Sequence, residues 1–193
     1  MTVTTGTRKV STSRVKEVSL DLPANPLIFE VLNLVVKQKT NEKKIEVLKR
    51  YEDPSLKAIF IWNFDESIIS LLPEGDVPFF GDNVLKTSTI TERIGDAVSS
   101  MKGGSSDSLG TIDEKHSTIR REYKKFYNFI KGGNDSLNSI RRETIFINLL
   151  EGVHPLEAEI LCLAKDKKLQ TKYKITKEIV SEAYPDIQWG GRS

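Results

Sequence analysis

The chain has 193 residues, 29 Lys+Arg against 27 Asp+Glu for a net charge of +2, 38% hydrophobic residues and one cysteine. A chain of this size buries enough core to fold without disulfides or metal, and the lone Cys162 rules out an intramolecular bridge and fits a reducing, cytoplasmic compartment. The longest apolar run, Pro26 to Val36, is interrupted by Glu30 and Asn33 and falls short of the roughly 20 residues a membrane span needs; no secretory leader or repeat array is visible either.

Residues 1–25 are rich in Thr, Ser, Lys and Val. The weak alternation Val15-Lys16-Glu17-Val18-Ser19-Leu20 allows a short strand, but the composition reads better as a flexible N-terminal arm. Residues 26–81 form an N-terminal helical block. Asn25-Pro26 supplies a cap and a first-turn proline for a helix carrying Leu27, Ile28, Val31, Leu32, Leu34 and Val35. Thr40 caps a second helix through Tyr51. Asp53-Pro54 opens a third, which buries Leu56, Ile59, Phe60 and Trp62 or Phe64. Asp65 then caps a short helical turn with Ile68, Ile69 and Leu72, stopped by Leu72-Pro73-Glu74-Gly75, and Val77-Pro78-Phe79-Phe80-Gly81 follows as an apolar loop.

Residues 82–117 read as a Gly/Ser-rich internal insert around Gly103-Gly104-Ser105-Ser106. Within it Ile90, Ile94, Ala97, Val98 and Met101 keep helical spacing, although Gly95 weakens that helix. Residues 118–193 form a basic C-terminal helical block. Ile119, Tyr123, Phe126, Tyr127 and Ile130 give one buried stripe, ended by Gly132-Gly133. Asp135 or Ser136 caps the next helix, through Leu150 to Gly152. His154-Pro155 starts another, and Thr176 caps a last one that ends before Pro185. The expected fold is all-α, a compact domain of about seven or eight helices spanning residues 26–193.

Charge is divided unevenly: residues 115–193 hold 15 Lys+Arg against 10 Asp+Glu, and residues 1–114 hold 14 against 17. Arg120, Arg121, Lys124 and Lys125 lie away from the aromatic stripe, and Arg141 and Arg142 follow on the next helix. These six are the candidate phosphate contacts, for DNA or RNA, because neutralising phosphates supplies most sequence-independent affinity. The bland alternative is a solvated helix face interleaved with Glu122 and Glu143. A lysine run from Lys165 to Lys177 reads the same two ways. Phe126, Tyr127, Phe129, Trp62 and Trp189 offer rings that can stack on bases, yet helical spacing assigns Tyr123, Phe126 and Tyr127 to the core. Trp189, in a Gly-rich tail with Arg192, either packs back on the body or anchors a protein partner.

Catalytic patterns are not found. His116, His154 and Cys162 lack metal-ligand spacing, so neither a metal nor a cofactor is expected. Cys162 sits in the apolar run Ile160-Leu161-Cys162-Leu163, which favours a buried structural role over a nucleophile. Glu157 and Glu159, or Asp65 and Glu66, do not converge on a helix, and neither glycine pair matches a phosphate-binding loop. The chain is read as non-enzymatic.

Several stretches carry a family likeness: Leu56-Lys57-Ala58-Ile59-Phe60-Ile61-Trp62-Asn63-Phe64-Asp65, Leu71-Leu72-Pro73-Glu74-Gly75-Asp76-Val77-Pro78, Glu122-Tyr123-Lys124-Lys125-Phe126-Tyr127-Asn128-Phe129-Ile130-Lys131-Gly132-Gly133-Asn134-Asp135, Arg141-Arg142-Glu143-Thr144, Leu149-Leu150-Glu151-Gly152-Val153-His154-Pro155-Leu156-Glu157-Ala158-Glu159 and Tyr184-Pro185-Asp186-Ile187-Gln188-Trp189-Gly190. Together they resemble a domain-of-unknown-function family encoded by T4-like tailed phages, notably marine and cyanobacterial ones. The likeness covers residues 26–80 and 117–192, leaving the arm and the insert as the parts expected to differ. It implies a viral protein in the host cytoplasm, an accessory adaptor on nucleic acid or on a replication or transcription complex, with a phage or host protein partner and no membrane. The alternative is a small structural or assembly component of the virion.

Overall fold

The structure, a computed structural model, describes residues 22–75 and 117–191 together with two short strands, Pro78–Phe79 and Ser88–Thr89, paired antiparallel. The expected strand at 15–20, most of the loop 77–81, the helix at 90–101, His116 and Arg192 lie outside the described residues. Eight α-helices run through the described chain: α1 (Ile28–Lys37), α2 (Asn41–Arg50), α3 (Pro54–Phe64), α4 (Ile119–Glu122), α5 (Ser139–Gly152), α6 (Pro155–Lys165), α7 (Leu169–Tyr173) and α8 (Lys177–Ala183). The fold is all-α.

Helix starts follow side-chain chemistry. Asp53 Oδ1 accepts the Ser55 N–H at 2.9 Å and Pro54 opens α3, while Asn138 Oδ1 accepts the Arg141 N–H at 2.8 Å to cap α5. His154 Nδ1 accepts the Leu156 N–H at 3.2 Å and Pro155 opens α6. Each such bond satisfies a donor that the helix itself leaves unpaired. One apolar core extends from Leu27 to Ile187. α3 packs on α6 and on α4, α2 packs between α1 and α8, and α5 packs on α6. At its centre Trp62 stands against Phe126, Phe129 and Phe146, with ring centroids 5.0, 5.9 and 6.4 Å away.

Five sequence expectations are corrected. α1 begins at Ile28, not at Asn25-Pro26, because Glu30 Oε2 takes the Leu27 N–H at 2.7 Å and makes Leu27 the cap. Leu22, assigned by composition to the arm, packs on the core and donates its N–H to the Tyr51 hydroxyl at 2.9 Å. Asp65 ends α3 instead of starting a helical turn. Its Oδ1 accepts from the Ser67 N–H at 3.0 Å and the Ser67 hydroxyl at 2.8 Å, and the following residues pair with the strand-like end of the 3-10 segment described next. α5 is capped by Asn138, since Asp135 is engaged with the Gly132 N–H at 3.2 Å. Finally, α7 has no counterpart among the expected helices; the Asn63 side chain, from α3, accepts the Leu169 N–H at 3.0 Å to start it.

Candidate nucleic-acid interface

The single helix expected over residues 119–130 is α4 followed by a seven-residue 3-10 segment, Tyr123–Phe129. A 3-10 segment repeats every three residues, so side chains three apart eclipse one another. That period selects Phe126 and Phe129 for the core and turns Tyr127 out, 52% exposed. The core position that helical spacing gives Tyr127 is thereby corrected. Outside the core, Arg121, Lys124 and Tyr127, spaced by three, form one exposed row.

Two of the six candidate cations are spent inside the protein. The Arg142 side chain is buried: Nε donates to the Asn128 carbonyl at 2.8 Å, and one terminal nitrogen donates to the Asn134 and Leu137 carbonyls, each at 3.0 Å. Arg120 is partly buried, with Nε on the Pro26 carbonyl at 3.0 Å and a terminal nitrogen on Asp53 Oδ2 at 2.7 Å. Of the remaining four, Lys125 is exposed but paired with Glu122, which also receives the Ser117 hydroxyl at 2.7 Å. Arg121, Lys124 and Arg141 are exposed, and no described side chain pairs with them.

The turn between the 3-10 segment and α5 is built around Arg142. Gly132 has φ +77°, and a Cβ on Gly133 would lie 1.9 Å from the Tyr127 carbonyl oxygen. The Asn134 amide donates to Asn128 Oδ1 at 2.9 Å, and the Asn128 amide donates to the Lys125 carbonyl at 3.0 Å. On the other side the Leu71 N–H donates to the Phe129 carbonyl at 2.8 Å and the Lys131 N–H to the Ile69 carbonyl at 2.9 Å. The exposed row therefore stands on a backbone held from two sides.

The lysine run is largely engaged. Lys165 is buried and donates to the Pro73 and Gly75 carbonyls, both at 2.8 Å, beside Asp166. Lys167 donates to the Asp65 carbonyl at 2.6 Å, Lys172 pairs with Glu159, and Lys177 lies 5.2 Å from the centre of the Trp189 ring. Trp189 is half-buried against the core, and Asp65 Oδ2 accepts the next residue's N–H, Gly190, at 3.0 Å. Of the two readings for the tail, packing on the body describes what Trp189 does here.

Groups with catalytic potential are separated or closed off. Glu157 is fully buried, with Oε1 on the Ile28 N–H at 3.0 Å and Oε2 on the Ile119 N–H at 2.9 Å, so its carboxylate joins the starts of α1 and α4. Burial pushes its carboxyl above the ordinary range, against the pull of those two donors and of Arg120. His154 stacks on Phe29 at 4.7 Å, while Cys162 is half-buried eight residues further along α6, about 12 Å away along the axis. No group of three His, Cys, Asp or Glu among the described residues is placed to hold a metal, and no described helix is long and apolar enough to cross a membrane.

A family model described as a family of unknown function, DUF6433, matches residues 31–112 and 106–171. The chain belongs to the DUF6433 family. The match runs from within α1 to within α7 and takes in α2 to α6, the row of Arg121, Lys124 and Tyr127, and the Arg142 turn. It also runs through residues 82–117, the stretch expected to set this DUF6433 protein apart, and stops before Trp189. No curated protein and no solved structure matches the chain.

Sequence reasoning missed the internal roles of Arg120, Arg142 and Glu157. The partners of Arg120 and Glu157 lie 38 to 129 residues away, and those of Arg142, though 5 to 14 residues off, are main-chain carbonyls, so no side-chain pattern announces them. The outward turn of Tyr127 did have a signal. Tyr123, Phe126 and Phe129 are spaced by three, which competes with the helical stripe through Tyr127 and Ile130.

Proposed function

We propose that this chain is a non-enzymatic helical adaptor that contacts nucleic acid, or a replication or transcription complex built on it, through Arg121, Lys124 and Arg141, with Lys125 at the margin. The observation that carries this reading is the division of the basic residues. Arg120 and Arg142 are bonded internally, whereas Arg121, Lys124 and Arg141 are exposed with no described counter-ion. Lys124 and Arg141 also stand on two elements fastened together by the Arg142 guanidinium, and Arg121 is on α4, which runs directly into the first of them.

Such an arrangement neutralises phosphates without reading bases, which suits an accessory factor better than a sequence-specific regulator. The likeness to proteins of T4-like phages supports a viral accessory role in the host cytoplasm. The virion-component alternative predicts a stable homo-oligomer indifferent to nucleic acid.

The test is binding of fluorescent strands and duplexes of about 30 nucleotides, roughly three duplex turns, across a salt series. The triple variant Arg121→Ala, Lys124→Ala, Arg141→Ala should bind more weakly. Its slope of log affinity against log salt should be shallower by about 0.9 for each duplex phosphate that is no longer neutralised. Absence of binding at low salt would sink the adaptor reading.

A further inference from the structure

The exposed row of Arg121, Lys124 and Tyr127 carries more than charge. Of the rings that sequence alone offers for stacking, Trp62, Phe126 and Phe129 are buried and Trp189 is packed on the body. Tyr127 is more than half exposed and stands in line with two cations that have no described counter-ion. We propose that this row is a platform for single-stranded nucleic acid, with the Tyr127 ring stacking on an unpaired base and Lys124 and Arg121 holding successive phosphates. This rests on the adaptor reading above and narrows it to one class of ligand.

The spacing is suited to the task. At about 2 Å of rise per residue, Lys124 and Tyr127, three apart on the 3-10 segment, lie about 6 Å apart along one edge, and Arg121 precedes them on the last turn of α4. A ring face is useful only to a base that is not already stacked on both sides, so Tyr127 favours single strands over duplex, whereas the cations serve either. Stacking needs a ring that does not drift. The Gly133 backbone packs so tightly on the Tyr127 carbonyl that no Cβ fits, and the next residue, Asn128, is held through its carbonyl by Arg142. Every base has a ring face, so the platform is expected to tolerate sequence, and oligo-dT and oligo-U arms separate DNA from RNA.

The experiment compares wild type, Tyr127→Ala, Tyr127→Trp and the pair Arg121→Ala, Lys124→Ala on single strands and duplex of about 30 nucleotides. Tyr127→Ala should lose single-strand affinity by roughly tenfold and leave duplex affinity and the unfolding midpoint unchanged; Tyr127→Trp should retain or strengthen single-strand binding. The cation pair should flatten the salt slope on both ligands. Salt-dependent binding that is indifferent to Tyr127, or equal on the two ligands, overturns this inference and leaves the adaptor reading standing. No salt-dependent binding to either ligand overturns both.

Discussion

Glu157 and Ile119 are joined by a buried hydrogen bond of 2.9 Å, and the other oxygen of the same carboxylate accepts from Ile28 at 3.0 Å. One side chain near the start of α6 thus satisfies a first-turn donor on each of two other helices. Replacing Glu157 with Ala would leave both N–H groups buried without an acceptor, at about 1–3 kcal/mol each. The variant should lose on the order of 3 kcal/mol or more in urea unfolding. A loss below about 1 kcal/mol would show that the helix starts find other acceptors.

Glu157 also sets a pH dependence. Burial raises its folded pKa above the ordinary 4.5, so the folded state holds the proton more tightly than the unfolded chain. The corresponding stability is fully present below 4.5 and is lost as pH rises through the raised folded value. Subtracting the profile of Glu157→Gln, which cannot titrate, should isolate a stability term that falls with pH and then levels off. A difference that stays constant from about pH 4 to about pH 8 would refute this assignment.

Arg141 and Arg142 are neighbours with opposite fates. Arg142→Lys removes the planar fork that meets three carbonyls and should cost about 2–4 kcal/mol, because an ammonium cannot reproduce that geometry. Arg141→Ala, on an exposed position, should change stability by less than about 0.5 kcal/mol. Thermal unfolding of the two variants checks the contrast; equal losses would contradict the buried placement of Arg142.

The paired glycines are likewise unequal. Gly132→Ala meets no atom within 4 Å and is opposed by its φ of +77° alone, a cost of about 1 kcal/mol. Gly133→Ala drives a methyl group into the Tyr127 backbone and should cost more, with a change in the Tyr127 environment visible by NMR. Identical behaviour of the two variants would argue against the close approach.

Trp189→Ala tests the tail. A ring packed on the body and lying under Lys177 should contribute about 1–2 kcal/mol to stability, whereas a ring reserved for a partner would contribute close to nothing. Unfolding in urea without any partner present distinguishes the two.

Much of the fold is legible from helix starts: Thr40, Asp53-Pro54, His154-Pro155 and Thr176 stand where helices begin. α7 escapes because it buries two residues and is started by Asn63, 106 positions earlier in the chain. The break at Tyr123 escapes because α and 3-10 periods both bury Phe126 and part company only at Tyr127 and Phe129. The site is half legible. Charge and sequence position locate basic residues, but which of them are consumed depends on carbonyls exposed by a turn, as at Arg142, or on a carboxylate from another helix, as at Arg120.

The roots of the chain between α3 and α4 are fixed at opposite ends of α6. Gly75 is bonded by Lys165 and Asp166 at its C-terminal end, and Ser117 donates its N–H to the Gly152 carbonyl just before its start, at 2.6 Å. α6 has 11 residues and is about 16 Å long, a gap that five or so extended residues can cross. The distance between the two roots is therefore set by the length of α6, so one helix fixes both where the chain leaves the helical body after Gly75 and where it rejoins at Ser117.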